Sequence, residues 1–154
     1  MHVDFLQLAV KLACDNVAQG GGPFGALVVK AGQIVASSGN RVTLNLDPTA
    51  HAEILAIRLA CQQLGDYQLT DCILYSSCEP CPMCLGAIYW SRLDRVFFVC
   101  NRLDAAKAGF DDSFIYDEIP KSPMQRKIAM HQIDLPAAAS PFEFWNQWRT
   151  KRLY

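Results

Sequence analysis

Three side chains that bind soft metal ions are placed along the chain at a spacing that suits zinc. His51 offers an imidazole, and Cys81 and Cys84 offer two thiolates at the start of a second predicted helix. Because residues three apart share one helix face, both sulfurs can reach one ion. Three protein ligands with an open fourth position are typical of catalytic zinc, whereas four are typical of structural zinc. The pattern predicts one catalytic Zn²⁺ per subunit, bound by His51, Cys81 and Cys84.

Glu53 lies two residues beyond His51 and should point to another side of the same predicted helix. A carboxylate beside the metal that does not bind it can take a proton from water and pass it to a substrate. The pattern H-x-E…P-C-x-x-C, present here in residues 51–53 and 80–84, is the general signature of zinc-dependent nucleobase deaminases. We therefore predict a hydrolytic deaminase with Glu53 as its catalytic proton shuttle.

Cys78 leaves a second interpretation of the metal site open. Together with His51, Cys81 and Cys84 it would form a closed, structural site with four protein ligands. That arrangement gives Glu53 no role, and it requires a residue at the predicted end of a strand to reach the same ion. We favour the catalytic interpretation, in which Cys78 is a small buried side chain or part of the pocket wall.

The hydrophobic pattern predicts the elements that hold these residues in place. In chain order they are a helix from an N-cap at Asp4 to the glycines at 20–22, a hairpin of residues 25–30 and 33–37 around Ala31-Gly32, a helix over 50–64, a strand over 72–76, a helix over 82–91, a strand over 95–100 and a helix over 141–152. Residues 101–140 show no clear periodicity. This order predicts an α/β fold in which helices cover a sheet.

Length and composition limit the other possibilities. The 154 residues fit a single domain, and a hydrophobic content of 51% is ordinary for a globular protein. No apolar stretch approaches the roughly 18 residues of a membrane span, and no signal peptide is evident. The net charge of −1 gives no indication of a nucleic-acid partner. Seven cysteines, an odd number, indicate reduced thiols in a cytoplasmic enzyme.

From Phe5 to Tyr154 the chain resembles the small bacterial guanine deaminases of the cytidine-deaminase superfamily. The motifs at 51–53 and 80–84 occur throughout that superfamily, whereas the run GFDDSFIY at 109–116 is much more specific. The resemblance implies a cytidine-deaminase-like three-layer αβα sandwich with a central mixed sheet, formed by one catalytic domain over residues 1–154. It also implies hydrolysis of guanine, a small purine base, to xanthine and ammonia in purine metabolism.

The same resemblance assigns further site residues. Asp112 matches a second catalytic acid that acts on the leaving amine, although Asp111 to Ser113 would otherwise be interpreted as a turn or helix cap. Asn40 matches a residue that binds the purine edge, and it could equally be a turn asparagine. Tyr154 matches a C-terminal residue that closes over the pocket. Phe24 is placed to stack on the base, but an aromatic before a strand is more often part of the core.

The resemblance further implies a homodimer in which the subunits exchange C-terminal segments. Phe142, Trp145 and Trp148 suit such a docking helix, and they suit a helix packed on its own subunit equally well.

The amino-acid sequence also leaves three other functions open. They are deamination of guanosine or a related aminated heterocycle, deamination of adenosine in tRNA, and a zinc-stabilised pseudo-deaminase that serves as a dimer partner. The scattered lysines and arginines argue against the tRNA enzyme.

Overall fold

The computed structural model describes residues 1–154, and these form two compact units, residues 1–112 and 113–154. The first unit contains α1 (His2–Ala18), β1 (Gly22–Lys30), β2 (Gln33–Asn40), α2 (Val42–Asn45), α3 (Ala52–Leu64), β3 (Cys72–Cys78), α4 (Pro82–Trp90), β4 (Arg95–Cys100) and α5 (Arg102–Lys107). The second unit contains α6 (Ser113–Glu118), a 3₁₀ turn (Pro123–Gln125) and α7 (Ser140–Gln147). None of the helices combines the length and the apolarity needed to cross a bilayer.

The sheet of the first unit has the strand order β2-β1-β3-β4. β1 runs antiparallel to both β2 and β3, and β3 runs parallel to β4, so the sheet is mixed. Successive residues of β1 point to opposite faces: Leu27 and Val29 pack with α1, and Ala26 and Val28 pack with α3. Helices therefore cover both faces, which confirms the predicted three-layer αβα sandwich.

Small residues bring the helices close to the sheet. Ala52, Ala56 and Ala60 lie one turn apart along α3 and are fully buried against it. On the other face, a Cβ at Gly25 would come within 2.5 Å of the Ala9 carbonyl oxygen of α1, so only glycine fits there. The β1–β2 turn has positive φ angles of 49° at Ala31 and 78° at Gly32, as a two-residue type I′ hairpin requires.

Several predicted boundaries are wrong. α1 begins at His2, so Asp4 is not its N-cap; its carboxylate instead pairs with the terminal amine at 2.7 Å, within the first turn. α3 begins at Ala52, after His51 rather than before it. α7 spans only Ser140–Gln147, shorter than the predicted 141–152, because the backbone turns extended at Trp148, with ψ at 112°. Cys14 and Cys100, which lie in apolar stretches, are exposed.

Candidate metal centre and active site

The predicted metal ligands lie where two helices begin, beside the carboxyl ends of the parallel strands. β3 ends at Cys78, and the following Glu79-Pro80 turn delivers Cys81 as the N-cap of α4. The turn is fixed by a 2.8 Å hydrogen bond that the Glu79 N–H donates to the Cys100 carbonyl oxygen, at the end of β4. His51 is the N-cap of α3. The partial positive charge at both helix N-termini stabilises thiolate ligands.

The distances among these ligand atoms fit a zinc ion. Nδ1 of His51 lies 3.5 Å from Sγ of Cys81 and 3.5 Å from Sγ of Cys84, and the three ligand atoms lie within 4.8 Å of one another. Zn–N and Zn–S bonds of ordinary length at a tetrahedral angle separate nitrogen from sulfur by about 3.6 Å. Imidazole and thiolate donors are also those that zinc prefers.

The three ligand side chains shift one another's pKa values through shared hydrogen bonds. Hydrogen bonds from Cys84 and His51 lower the pKa of the Cys81 thiol to about 4. The pKa of Cys84 is raised, because its thiol keeps the proton shared with Cys81 and is buried. The hydrogen bond with Cys81 raises the pKa of His51. Zinc binds thiolates, so its binding must displace the proton held by Cys84.

Glu53 lies beside the cluster without belonging to its ligand set. The side chain sits in the first turn of α3, only 6% exposed, and Ser76 Oγ donates to its Oε1 at 3.5 Å. Burial raises the pKa of the Glu53 carboxyl, an effect opposed in part by hydrogen bonds, including one with Cys84. A carboxylate with a raised pKa holds a proton more readily than an exposed one, as a proton shuttle must.

Cys78 does not complete a site with four protein ligands. It stands outside the cluster of His51, Cys81 and Cys84, and its thiol points to the Asn101 carbonyl oxygen at 3.6 Å. Burial raises the pKa of its thiol to about 11, which disfavours the thiolate form. The structure therefore leaves the fourth position of the metal site open.

Two other predicted residues come near the ligands. Asn40 ends β2 and is 7% exposed, and the Arg41 N–H beside it donates to the Ala50 carbonyl oxygen, next to His51, at 2.9 Å. Asp112 is half-buried; burial, and then the charge of the nearby Cys81 sulfur, raise the pKa of its carboxyl.

The last two predicted site residues are Phe24 and Tyr154. Phe24 packs against the core and meets Phe110 edge-to-face, with ring centroids 5.0 Å apart. Tyr154 belongs to the second unit and is 69% exposed.

Sequence reasoning missed three buried polar residues of the first unit. Ser76 contacts Glu53, Ser77 Oγ accepts a hydrogen bond from the Gly25 N–H at 3.0 Å, and Asn16 bridges two strand ends. A polar residue inside an apolar stretch was the available signal, because buried polar groups are retained where a partner satisfies them. The partners Glu53, Asn40 and Gly25, however, lie 23, 24 and 52 residues away along the chain, which no local pattern reveals.

An apolar groove of about 250 Å³ opens on the first unit. Its walls come from α1, β1, β3, β4 and α5, and include Val10, Val17, Phe24, Cys100 and Phe110. Several of these side chains are partly exposed, among them Val17 at 50% and Phe110 at 46%. The groove thus leaves several apolar side chains in partial contact with solvent.

Comparison with known proteins places this site in context. Residues 1–100 match the cytidine and deoxycytidylate deaminase zinc-binding region. Over 154 residues the chain is 57% identical to guanine deaminase of Bacillus subtilis (strain 168), covering 99% of each protein. It superposes on a crystal structure of guanine deaminase from Bacillus subtilis with a TM-score of 0.98, at 57% identity, covering 100% of this chain and 99% of that one. It is 42% identical to the tRNA-specific adenosine deaminase of Aquifex aeolicus over 115 residues, which are 74% of this chain and 75% of the relative.

Proposed function

The chain belongs to the family of cytidine and deoxycytidylate deaminases with a zinc-binding region, and we propose that within it the protein is a guanine deaminase. The reaction is the zinc-dependent hydrolysis of guanine to xanthine and ammonia. The three-ligand cluster with Glu53 buried beside it carries this conclusion for the chemistry. Similarity over the whole chain to a guanine deaminase carries it for the substrate, whereas the tRNA-specific relative is less identical and matches fewer residues.

Each residue of the site has a part in this reaction. His51, Cys81 and Cys84 would hold zinc, which when bound supplies a Lewis acid that makes water nucleophilic at neutral pH. Glu53 takes a proton from the water that attacks the ring carbon bearing the amino group. The same carboxyl delivers that proton to the ring nitrogen, and it then takes the second proton, from the hydroxyl now on that carbon, and passes it to the departing amine. The carbon–nitrogen bond breaks, ammonia leaves, and a carbonyl group replaces the amine.

Asn40 and Phe24 orient the base. Asn40 Oδ1 accepts a hydrogen bond from the Val42 N–H at 3.2 Å, so its Nδ2 group is available to donate to an acceptor on the purine edge. Phe24 presents an aromatic ring already fixed by Phe110, which suits stacking on a planar base. Asn40 and Phe24 would thus contribute to binding the base and take no part in breaking the carbon–nitrogen bond.

Replacing Asp112 by Ala is expected to lower guanine turnover about 10²-fold, on the scale of a lost general acid. The reason is that a half-buried carboxyl with a raised pKa accepts a hydrogen bond from the amine and relays a proton to it. Zinc content should not change. Steady-state kinetics and metal analysis of the purified variant measure both quantities.

Asp111 offers the matched control for this variant, since it is the adjacent acid and is exposed. Asp111→Ala should retain most of the parent turnover. If Asp112→Ala is as active as the parent, Asp112 serves only as a turn or cap residue.

The reaction itself is tested by incubating the zinc-loaded protein separately with guanine, guanosine, adenine, cytosine and tRNA. Ammonia release from guanine alone supports the proposal. Release from guanosine or another heterocycle would keep the zinc and Glu53 chemistry and replace the substrate. Release from tRNA would favour the adenosine deaminase, and silence with zinc bound would favour a pseudo-deaminase.

The distribution of apolar surface supports a homodimer. In the second unit Phe142 is 72% exposed, Phe144 73% and Trp148 59%, too much apolar surface to leave in water. The first unit offers the apolar groove, and β4 is the last strand of its sheet. We infer that one subunit's C-terminal segment covers the partner's site, with Tyr154 closing over the pocket.

Removing residues 148–154 is expected to leave a folded zinc protein whose guanine turnover is strongly reduced, because an open site admits bulk water. Mixing this truncated protein with the full-length Glu53→Gln variant tests whether segments are exchanged. In an exchanged dimer the intact segment of the variant covers the truncated subunit, which retains Glu53, and activity returns.

Two results would contradict the closing role or the exchange. Full activity of the truncated protein alone would remove the closing role of the tail. No gain of activity on mixing, with mixed dimers shown by mass spectrometry, would mean that each tail serves its own subunit.

A single catalytic domain over residues 1–154, a cytoplasmic location and a place in purine metabolism complete the proposal. The match to guanine deaminase spans 99% of this chain, which supports one functional domain. All seven cysteines are unpaired, and thiolates that bind zinc must remain reduced, as they do in the cytoplasm.

A further inference from the structure

Asn16 is a buried polar residue in the last turn of α1, with 4% of its surface exposed. Its Nδ2 group donates two hydrogen bonds, one to the Gly22 carbonyl oxygen and one to the Asn40 carbonyl oxygen, each of 2.7 Å. Both hydrogens of the amide group are therefore used. Gly22 begins β1, and Asn40 ends β2, so one side chain joins the two strand ends that face each other.

β1 and β2 pair irregularly at the end that contains Gly22 and Asn40, where the Asn16 side chain makes its two hydrogen bonds. Gly22 pairs with Asn40, but the next pair is Gly25 with Gly39, so Pro23 and Phe24 have no partners on β2. Such a bulge interrupts the ladder of backbone hydrogen bonds. The Asn16 amide spans the interruption from the helix side and holds the flank of the bulge against Asn40.

Two glycines leave the space that this amide occupies. A Cβ at Gly21 would lie 2.3 Å from Asn16 Nδ2, and a Cβ at Gly39 would lie 2.3 Å from Asn16 Oδ1. Gly21 also donates its N–H to the Asn16 carbonyl oxygen at 2.9 Å. Part of the glycine run before Phe24 is thus explained by close packing around one asparagine, and any larger residue would displace it.

We propose that Asn16 is a positioning residue for the purine base, which acts by fixing the backbone of Asn40. This inference rests on the proposed function, in which Asn40 binds the base. Asn16 holds the Asn40 carbonyl on one side, while the Val42 N–H holds the Asn40 side chain on the other at 3.2 Å. With its main chain and its Oδ1 both fixed, Asn40 presents Nδ2 in one orientation before the base arrives, which reduces the entropic cost of binding.

The test is a double-mutant cycle on KM for guanine with Asn16→Ala, Asn40→Ala and the double variant. Asn16→Ala is expected to raise KM about 10-fold while kcat changes less than about 2-fold, the pattern of lost binding that is uniform along the reaction. Asn40→Ala should raise KM at least as much. In the double variant KM should match that of Asn40→Ala within about 2-fold, because Asn16 then has no residue to position.

Two further variants separate positioning from general damage. Gln19→Ala changes an exposed side chain at the end of the same helix and should leave KM unchanged. Asn16→Ser keeps one hydroxyl donor and should give a KM between those of the parent and Asn16→Ala. If the alanine variant does not fold, Asn16→Ser takes its place in the test.

The possible failures are distinguishable. If Asn40→Ala raises KM and Asn16→Ala does not, the positioning role is wrong and the proposed function stands. If the two effects multiply in the double variant, Asn16 acts independently of Asn40 and the inference is also wrong. An unchanged KM for Asn40→Ala would contradict the binding role of Asn40, and with it the role of Asn16. Whether the parent deaminates guanine is a separate measurement, and it alone tests the proposed reaction.

Discussion

Glu53→Gln is expected to bind zinc and to fold like the parent while guanine turnover falls by about 10²–10⁴-fold, the contribution of a general acid and base. Glutamine has the shape of glutamate and can still accept the hydrogen bond that Ser76 donates. It cannot take a proton from water, however, so neither the ring nitrogen nor the amine receives one. Metal analysis, circular dichroism and steady-state kinetics of the same preparation check the three expectations.

The stability of this variant gives an independent readout. Burial raises the pKa of Glu53 above its unfolded-state value, so at neutral pH this carboxyl lowers the stability of the zinc-free chain. The neutral amide removes that cost, and the zinc-free variant is expected to have a Tm no lower than that of the parent.

Glu79 provides the matched control for Glu53. Its Oε2 accepts a hydrogen bond from the Arg102 N–H at 3.0 Å, and it lies close to the cluster in sequence without being assigned a catalytic role. Glu79→Gln should retain parent turnover. Turnover by Glu53→Gln equal to that of the parent would eliminate the shuttle role and would favour the pseudo-deaminase.

Cys84→Ala is expected to lose zinc and to reduce guanine turnover to background. Cys84 is fully buried in α4 and supplies one of the three ligand atoms, and a pair of remaining ligands binds zinc far more weakly. The loss should exceed that of Asp112→Ala, because water is no longer activated at all. Zinc content per subunit and turnover, each measured after dialysis against a weak chelator, provide the comparison.

Cys78→Ala is the control for Cys84→Ala. It also distinguishes a catalytic site with three protein ligands from a structural site with four. Its thiol points to the Asn101 carbonyl oxygen and not into the cluster, so zinc content and turnover should be retained. The removal of one buried sulfur should cost only about 1 kcal/mol of stability. Loss of zinc in this variant, as in Cys84→Ala, would instead indicate a structural site with four protein ligands.

Much of the metal site was predictable because its information is local. The spacing of Cys81 and Cys84 places both sulfurs on one turn, and His51 and Glu53 are separated by a single residue. The β-hairpin was equally local, since Ala31-Gly32 supplies the two positive φ angles that its turn requires. Within each motif and within the turn the residues are neighbours in the chain, so their types and spacing carry the local geometry. The meeting of His51 with Cys81 and Cys84, 30 and 33 residues away, depends on tertiary packing.

Other parts of the site were beyond any local pattern. The sequence marked Asn40 only through a resemblance, and it did not mark Asn16 at all, because the bond between them spans 24 residues and crosses from a helix to a strand. The groove likewise combines residues of α1, β1, β3, β4 and α5. The exposure of Cys14 and Cys100, which lie in apolar stretches, also depends on what packs over them.

The sequence by itself was sufficient to predict zinc, three side chains that could bind it, the neighbouring carboxylate and the alternation of helices and strands. Only the tertiary structure decided how buried Glu53 is, that Cys78 stands apart from the cluster, and that Asn16 joins the ends of β1 and β2. The physical reason is the range of the interactions. Backbone propensity and ligand spacing act over a few residues, whereas burial, pKa shifts and side-chain bridges depend on segments that meet only when the sheet and helices have packed.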